Sequence, residues 1–403
     1  MRSCLALLSC RLLSSSSAIA PETTIAMSVN IPETMRAVQA TDYGSIDNLS
    51  VQDGVRVPRL SDLPPKKQKT SMVIQTHAVS LAPGDVRVLS GLTKEFQGPP
   101  AFPYVPGGDC AGVVVELPED ENVRKSLPFT IGDRVAARFA DGPRGALGEY
   151  ALVSTSVADK IPDNVTFDEA AALVSASPAT VLANRIQKGE RVLVLGANGG
   201  VGSHFCQQLR RRGASYVVGV SKTPSKLLEA PISIDEAVDY TKEDVFDAER
   251  FQSEPFDTLV DLAGGGYRSL EDRLKQGKTP LIVKPASQGG RCLTLVLMHG
   301  PEFEIHTFWQ MLHIFMFPQR WRAITSRTWN RWKLPKFTFA MSLPGTRDCV
   351  TQTFDEVTKG KLKAVIAGPF KFTTGGVRDA FRLQKSRHPN GKVVVHVADE
   401  VRK

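Results

Sequence analysis

The chain has six cysteines in 403 residues, and no two of them form a C-x-x-C pair. Cys4 and Cys10 lie near the start, while Cys110, Cys206, Cys292 and Cys349 are scattered over the rest. That spacing offers neither a zinc motif nor a disulfide framework, so reduced, buried thiols are expected. Long apolar runs are missing too. No stretch of about 18 apolar residues lacks charge, and no transmembrane helix is read. Acids are absent before Glu22, where Arg2 and Arg11 are the only charges. Aromatic residues make up only 7% of the chain, and all four tryptophans (Trp309, Trp321, Trp329 and Trp332) fall between residues 303 and 339. From residue 305 to 336 acids are again absent, and Arg320, Arg322, Arg327, Arg331, Lys333 and Lys336 carry +6 of the net +8. The excess charge is therefore a local basic surface, which argues against a nucleic-acid-binding chain.

What is present is ordinary for a globular protein: 42% hydrophobic and 23% charged residues, in a length that suits two domains. The organising stretch is RVLVLGANGGVG, Arg191 to Gly202. Val192 to Leu195 is an apolar run of strand length. Gly196, Gly199, Gly200 and Gly202 make the turn, and Val201, Phe205 and Leu209 set an apolar spacing for an amphipathic helix. In the context of strand, turn and helix, glycines let the backbone approach a pyrophosphate, and the helix N-terminus favours that anion. A purely structural turn is the alternative.

Around this motif the chain divides. Residues 1–34 are basic, Ser-rich and acid-poor, and read as a transit peptide for a mitochondrion or plastid, mitochondrion preferred. A secretory signal, or a cytoplasmic protein starting at Met27 or Met35, are the rivals. Residues 35–160 carry short apolar runs (36–40, 72–79, 111–116, 134–137) punctuated by Pro, Gly and Asp, and predict a β-rich domain. The stretch 64–69 reads as a polar loop. Residues 161–368 alternate helices with strands, which implies a doubly wound parallel sheet of Rossmann type. Helices are predicted at 169–174 and 179–186, with Ser177 as N-cap of the second. Strands are predicted at 216–220, 237–240, 256–262 and 291–297. Residues 369–403 return to the first domain.

The second strand of the parallel sheet ends Val220-Ser221-Lys222-Thr223, with no acid to hold a ribose 2′-hydroxyl. Ser221 can hydrogen-bond a 2′-phosphate and Lys222 and Lys226 can neutralise it, which selects NADP(H) over NAD(H). The competing reading has both lysines as solvated loop charges.

Several short motifs recur in one order. They are Ala78 to Asp85, Ser90-Gly91, Pro103 to Val113, Gly132 to Val135 and Gly148-Glu149-Tyr150. The glycine turn, Gly289-Gly290-Arg291 and Gly391 to Val394 follow. Together they resemble the zinc-less quinone-oxidoreductase branch of the medium-chain dehydrogenase/reductase superfamily, over roughly Met35 to Ala398. The resemblance implies an α/β protein with a GroES-like catalytic domain and a Rossmann-type cofactor domain, with substrate between them. It also implies that Gly199, Gly200, Val201 and Gly202 contact the pyrophosphate, that Lys226 and Tyr240 contact the 2′-phosphate, that Ala263 and Gly264 pass the nicotinamide ribose, and that Arg387 lies at the phosphate end. Zinc members place a Cys near Pro83 and a His-Glu pair near Gly108-Asp109; this chain has neither, so no metal is expected. The branch commonly has Asn where Ala82 stands, and some members have Tyr where Arg87 stands.

The implied function is NADPH-dependent hydride transfer to a quinone or an α,β-unsaturated carbonyl. The alternatives are a 2-enoyl thioester reductase, or a cofactor-binding interaction protein with little turnover. Arg87 is the candidate for stabilising charge on the substrate oxygen; a surface arginine or a salt bridge to Asp85 is the competing reading. Asp85 and Asp109 are expected to fix loops, and His77 to be a core residue. A homodimer is expected. The insertion 303–339 is expected to be either a peripheral membrane surface, a lid or a subunit interface, with Phe308, Trp309, Leu312, Phe315 and Met316 on one helical face.

Overall fold

A computed structural model describes residues 30–94, 98–99, 101–139, 145–295, 308–311, 317–340 and 347–399. Most of the 1–34 targeting segment and residues 303–307 and 312–316 of the insertion lie outside the described residues.

The first strands are β1 (Thr34–Ala40), β2 (Leu49–Arg56), β3 (Ser71–Leu81), β4 (Asp109–Glu116), β5 (Arg134–Ala137), β6 (Tyr150–Ser154) and β7 (Ala158–Lys160). There follow β8 (Arg191–Leu195), β9 (Tyr216–Ser221), β10 (Glu236–Asp239), β11 (Thr258–Asp261), β12 (Arg291–Thr294) and β13 (Lys336–Phe339). The chain closes with β14 (Ile366–Lys371) and β15 (Lys392–His396). β1 and β2 form an antiparallel hairpin. A seven-stranded sheet runs β14-β15-β3-β4-β5-β7, with β6 also paired to β3. A six-stranded sheet runs β10-β9-β8-β11-β12-β13, every pairing parallel.

The parallel sheet is buried on both faces, which explains its continuous apolar runs. Leu193 and Leu195 of β8 join one core with Val218, Leu259 and Phe337, whereas Val192 and Val194 join the other with Phe205, Leu209 and Val260. The helix Phe167–Ala176 packs on β3, β4 and β15 and shares that core with Val350 and Phe354 of the helix Arg347–Thr358. It starts with a capping box: Glu169 N donates to Thr166 Oγ1 and Thr166 N donates to Glu169 Oε2. Its run Ala170-Ala171-Ala172 is fully buried, and such small side chains let the helix lie close on the sheet.

Two local expectations change. Residues 65–68 form a helical turn, Pro65–Gln68, in place of a loop, because Pro65 pre-sets the first helical φ. Ser177 makes no side-chain cap; its own backbone is helical (φ −52°), so Phe167–Ala176 passes almost directly into Pro178–Ala183. The helix Gly202–Leu209 has the expected apolar face, with Phe205, Cys206 and Leu209, and its polar face of Ser203, His204, Gln207 and Gln208 is buried as well. Two of its polar members find partners outside the helix: Gln207 Nε2 donates to Lys363 O (3.0 Å) and His204 Nε2 accepts from Val365 N (3.1 Å).

Candidate functional site

The carboxyl ends of the parallel strands lie level. Leu195 pairs with Val220 and with Asp261, and Ser221 pairs with Asp239. The residues that follow these positions therefore line one rim, where open α/β sheets bind ligands. They include the glycine turn after β8, Ser221-Lys222 after β9, Tyr240 after β10 and Ala263-Gly264 after β11. β8 and β11 are neighbours here, and the strand order reverses direction between them.

The glycine turn is built for close approach. Gly196 has φ +73°, a left-handed conformation that glycine adopts without strain. A side chain at Gly202 would place its Cβ 2.2 Å from Gly196 O, so the helix start packs directly on the turn. At Gly199 a Cβ would meet only Gly196 O, at 3.3 Å, and its remaining side is open. A bare backbone facing open space at a helix N-terminus fits a dinucleotide pyrophosphate. Asn198 fixes the turn's outer limb, with Nδ2 donating to Thr223 O and Thr223 Oγ1.

The loop after β11 is held by Asp261, whose buried carboxylate accepts from the N–H groups of Ala263, Gly264 and Gly266. Burial pushes this carboxyl up, against the pull of those N–H donors. At the end of β9 the buried Ser221 Oγ accepts from Thr223 N, which leaves its proton for a ligand. Lys222 and Lys226 are exposed beside it.

The C-terminal segment crosses this rim. Arg387, at the left-handed end (φ +61°) of the helix Thr374–Ser386, donates from Nη2 to Ala263 O (3.0 Å). His388 Nε2 and Tyr240 Oη are 2.9 Å apart, Thr223 Oγ1 donates to Asn390 Oδ1, and Gly391 N donates to Asn198 O. The structure thus puts Arg387 at the Ala263 end and His388 beside Tyr240. Arg87, on the helix Pro83–Ser90, is half-buried, so it is not a surface arginine. Burial, and then the nearby charge of Arg387, lower its pKa from the ordinary value. The two guanidinium groups are thus near enough to repel each other.

Beneath the glycine turn lies a buried polar chain that the sequence reading did not assign. Lys392 Nζ donates to Ser175 Oγ (2.9 Å), and Ser175 Oγ donates to Asp109 Oδ2 (2.6 Å). Asp109 Oδ1 also accepts from Phe139 N, and Asp85 Oδ2 accepts from Ala82 N, so both acids do fix local backbone. Burial lowers the Lys392 pKa to about 8, with Asp109 and Asp85 pulling the other way. The stem of Lys392 packs against the turn: a Cβ at Gly200 would come within 2.7 Å of its Cδ. The one signal for this role was a lysine opening the apolar strand Val393-Val394-Val395. His77 is a core residue, buried and stacked on Phe167 at 4.3 Å.

Zinc does not fit these residues. The described cysteines are buried and mutually unpaired, and burial pushes the thiols of Cys110, Cys206 and Cys292 up. Among the described residues no three His, Cys, Asp or Glu side chains gather as a metal site.

Residues 68–163 match the alcohol dehydrogenase GroES-like domain, and residues 232–395 match a family described as zinc-binding dehydrogenase. The chain is 30% identical over 394 residues to 2-methylene-furan-3-one reductase of Solanum lycopersicum, covering 96% of this chain and 84% of that one. It belongs to the medium-chain dehydrogenase/reductase superfamily. The NADPH-dependent alkenal/one oxidoreductase, chloroplastic, of Arabidopsis thaliana is 28% identical, with 91% of this chain and 81% of that one covered. The NAD(P)H oxidoreductase RTN4IP1, mitochondrial, of Bos taurus is 28% identical over 88% and 87%. Among solved structures, the quinone oxidoreductase from Coxiella burnetii superposes with a TM-score of 0.66 at 22% identity, covering 91% of this chain and all of that one. This superfamily member therefore has the GroES-like lobe and the parallel cofactor sheet expected from its sequence, on the fold of a quinone oxidoreductase.

Proposed function

We propose that this chain is an NADPH-dependent oxidoreductase that reduces a quinone or an α,β-unsaturated carbonyl without zinc. The observation that carries the reading is the rim itself. An open glycine turn stands beside Ser221, Lys222, Lys226 and Tyr240, with no acid at the end of β9. In this reading Gly196, Gly199, Gly200, Val201 and Gly202 take the pyrophosphate. Ser221, Lys222, Lys226 and Tyr240 take the 2′-phosphate, and Ala263, Gly264 and Arg387 border the nicotinamide ribose. NADPH, when bound, supplies the hydride. Arg87 balances the negative charge that reduction places on the substrate oxygen, in a half-buried position where such a charge is worth more than in water. Lys392 holds the glycine turn against Ser175 and Asp109, so that the two lobes keep one spacing.

The partner is accordingly a small-molecule quinone or enone. Residues 35–160 with 369–403 form the catalytic lobe and 161–368 the cofactor lobe. A homodimer, a peripheral membrane contact through 303–339, and an organelle, mitochondrion before plastid, complete the reading; the relatives named above include one mitochondrial and one chloroplastic protein. The test is NADPH consumption by the full chain with a panel of quinones, enones and 2-enoyl thioesters, with NADH as control. Saturable turnover with NADPH and a quinone or enone is expected. Turnover with thioesters alone would replace the substrate class, and tight NADPH binding without any turnover would replace the enzyme with a cofactor-binding interaction protein.

A further inference from the structure

The helix Phe317–Thr325 is inside out. Its face toward the parallel sheet is mostly polar: Gln319, Thr325 and the following Ser326 are buried, Arg322 pairs with Glu271 at 3.1 Å, and Ala323 is the small apolar side chain packed on the core there. Ser326 Oγ accepts from Phe337 N, which clamps this face to β13. The side-chain amide of Gln319 is buried with no hydrogen-bond partner among the described residues. The opposite face, at the spacing of residues 317, 321 and 324, is apolar and turned to solvent. Phe317 is 62% exposed, Trp321 50% and Ile324 56%; beyond the helix Trp329 is 74% and Trp332 68% exposed. An amphipathic helix folding for its own sake would be rotated the other way, since burying an unpaired amide costs and burying an indole gains. The exposed side chains form one platform. Trp321 and Trp329 meet edge to face at 5.9 Å, and the Arg331 guanidinium lies 4.7 Å from the ring of Trp332. A contiguous apolar patch of this kind marks an interaction surface.

Its occupant follows from charge. Arg320, Arg327, Arg331 and Lys333 are exposed around the platform, and no Asp or Glu occurs between residues 308 and 340. A second copy meeting this face about a two-fold axis would set cations against the same cations. An anionic lipid surface meets them with phosphates, admits indoles at headgroup level and lets arginine stems lie along the boundary. We propose that the face carried by residues 317–333 docks on an anionic phospholipid bilayer, lying in its interface without crossing it. No helix of the described residues is long and apolar enough to span a membrane. The inference rests on the reductase reading for its purpose, because lipid-soluble quinones and enones gather in that same surface.

Three of the four tryptophans of the chain, Trp321, Trp329 and Trp332, are on this face and the fourth, Trp309, is nearby in sequence, so tryptophan emission reports mainly on it. The full chain is mixed with vesicles of phosphatidylcholine, with or without phosphatidylserine, at low and high salt. Emission should shift to the blue, and protein should co-sediment, only with the phosphatidylserine vesicles at low salt. Three cations contribute roughly fivefold each to partitioning, so Arg320→Gln, Arg327→Gln and Arg331→Gln together should weaken binding roughly a hundredfold. Trp329→Ala with Trp332→Ala should weaken it on its own; both changes are on exposed side chains and leave NADPH binding intact. A wild-type chain that stays in the supernatant with unshifted emission overturns the proposal. So does a dimer that the tryptophan substitutions dissolve and vesicles do not affect, which would give the face to a second copy. Turnover of a water-soluble enone without vesicles tests the reductase separately, so either reading can fail while the other stands.

Discussion

Two glycines in one turn should fail in different ways. At Gly202 a methyl group would lie 2.2 Å from Gly196 O and 2.7 Å from Ala197 O. Both neighbours are backbone, in a turn already fixed by Asn198, and cannot swing aside. Overpacking of this kind costs about 3 kcal/mol, offset by about 1 kcal/mol from the better helix propensity of alanine. Gly202→Ala should therefore lose about 2 kcal/mol, a melting temperature lower by roughly 2 to 3 °C for a chain of this size. At Gly199 the same methyl meets only Gly196 O at 3.3 Å and projects into the open side of the turn. Gly199→Ala should melt within about 1 °C of the wild type. It should nevertheless bind NADPH at least roughly tenfold more weakly, a loss of about 1.4 kcal/mol, because the methyl stands between the backbone and the pyrophosphate. Thermal melts together with titration of NADPH fluorescence separate the two effects. A Gly199→Ala protein with wild-type affinity would show that the pyrophosphate does not rest on this turn. A Gly202→Ala protein with wild-type stability would refute the packing argument.

The remaining expectations concern the charged groups. Arg87→Ala should lower kcat roughly a hundredfold and leave the NADPH Kd unchanged, and unaltered turnover would return Arg87 to a structural role. Lys222→Ala with Lys226→Ala should cut the NADPH-over-NADH preference roughly tenfold; an unchanged ratio of dissociation constants would make both lysines solvated loop charges. Lys392 titrates at about 8 in the fold, against about 10.4 for an unfolded lysine, so between these values the unfolded chain binds more protons and stability rises with pH. Below pH 8 the cost of the buried ammonium is fully present. The stability difference between wild type and Lys392→Met, read by urea unfolding, should therefore shift by about 3 kcal/mol in favour of the wild type from pH 7 to 10.5. A flat difference would mean that the ammonium is solvated.

Much of the cofactor sheet was legible because its strands are buried on both faces. Val192 to Leu195 then had to be a continuous apolar run, and the glycines had to follow it. The helix Gly202–Leu209 showed its apolar face in the i, i+4 spacing, which says nothing about whether the polar face meets water. Here Gln207 and His204 bury the second face by finding partners at Lys363 and Val365. The chain Lys392–Ser175–Asp109 was out of reach for a similar reason. It joins residues far apart in sequence, and a lysine heading a valine strand does not name the acid it will meet. His388 was hidden by its neighbour: Arg387 has the charge that a phosphate site invites, but the backbone turn at φ +61° sends it to Ala263 and leaves the imidazole at Tyr240. The insertion was legible by composition alone. Its unusual orientation depends on which side of the helix finds Glu271 and Ser326's partner, and that is a tertiary matter.

The last strand, β15, has a consequence for how the molecule is made. It lies inside the first sheet, between β14 and β3, with Leu81 opposite Val393. During synthesis β6 covers residues 71–75 of β3, but the part from Ala78 to Leu81 lacks its β15 partner until residues 393–396 have been made. The parallel sheet, whose strands are closer in sequence, can form in the meantime. The glycine turn then receives Gly391 and Lys392 last. Nascent chains stalled before residue 392 should expose an unpaired strand edge and depend on chaperones, and cofactor capacity should appear late and abruptly, as the final strand slots in.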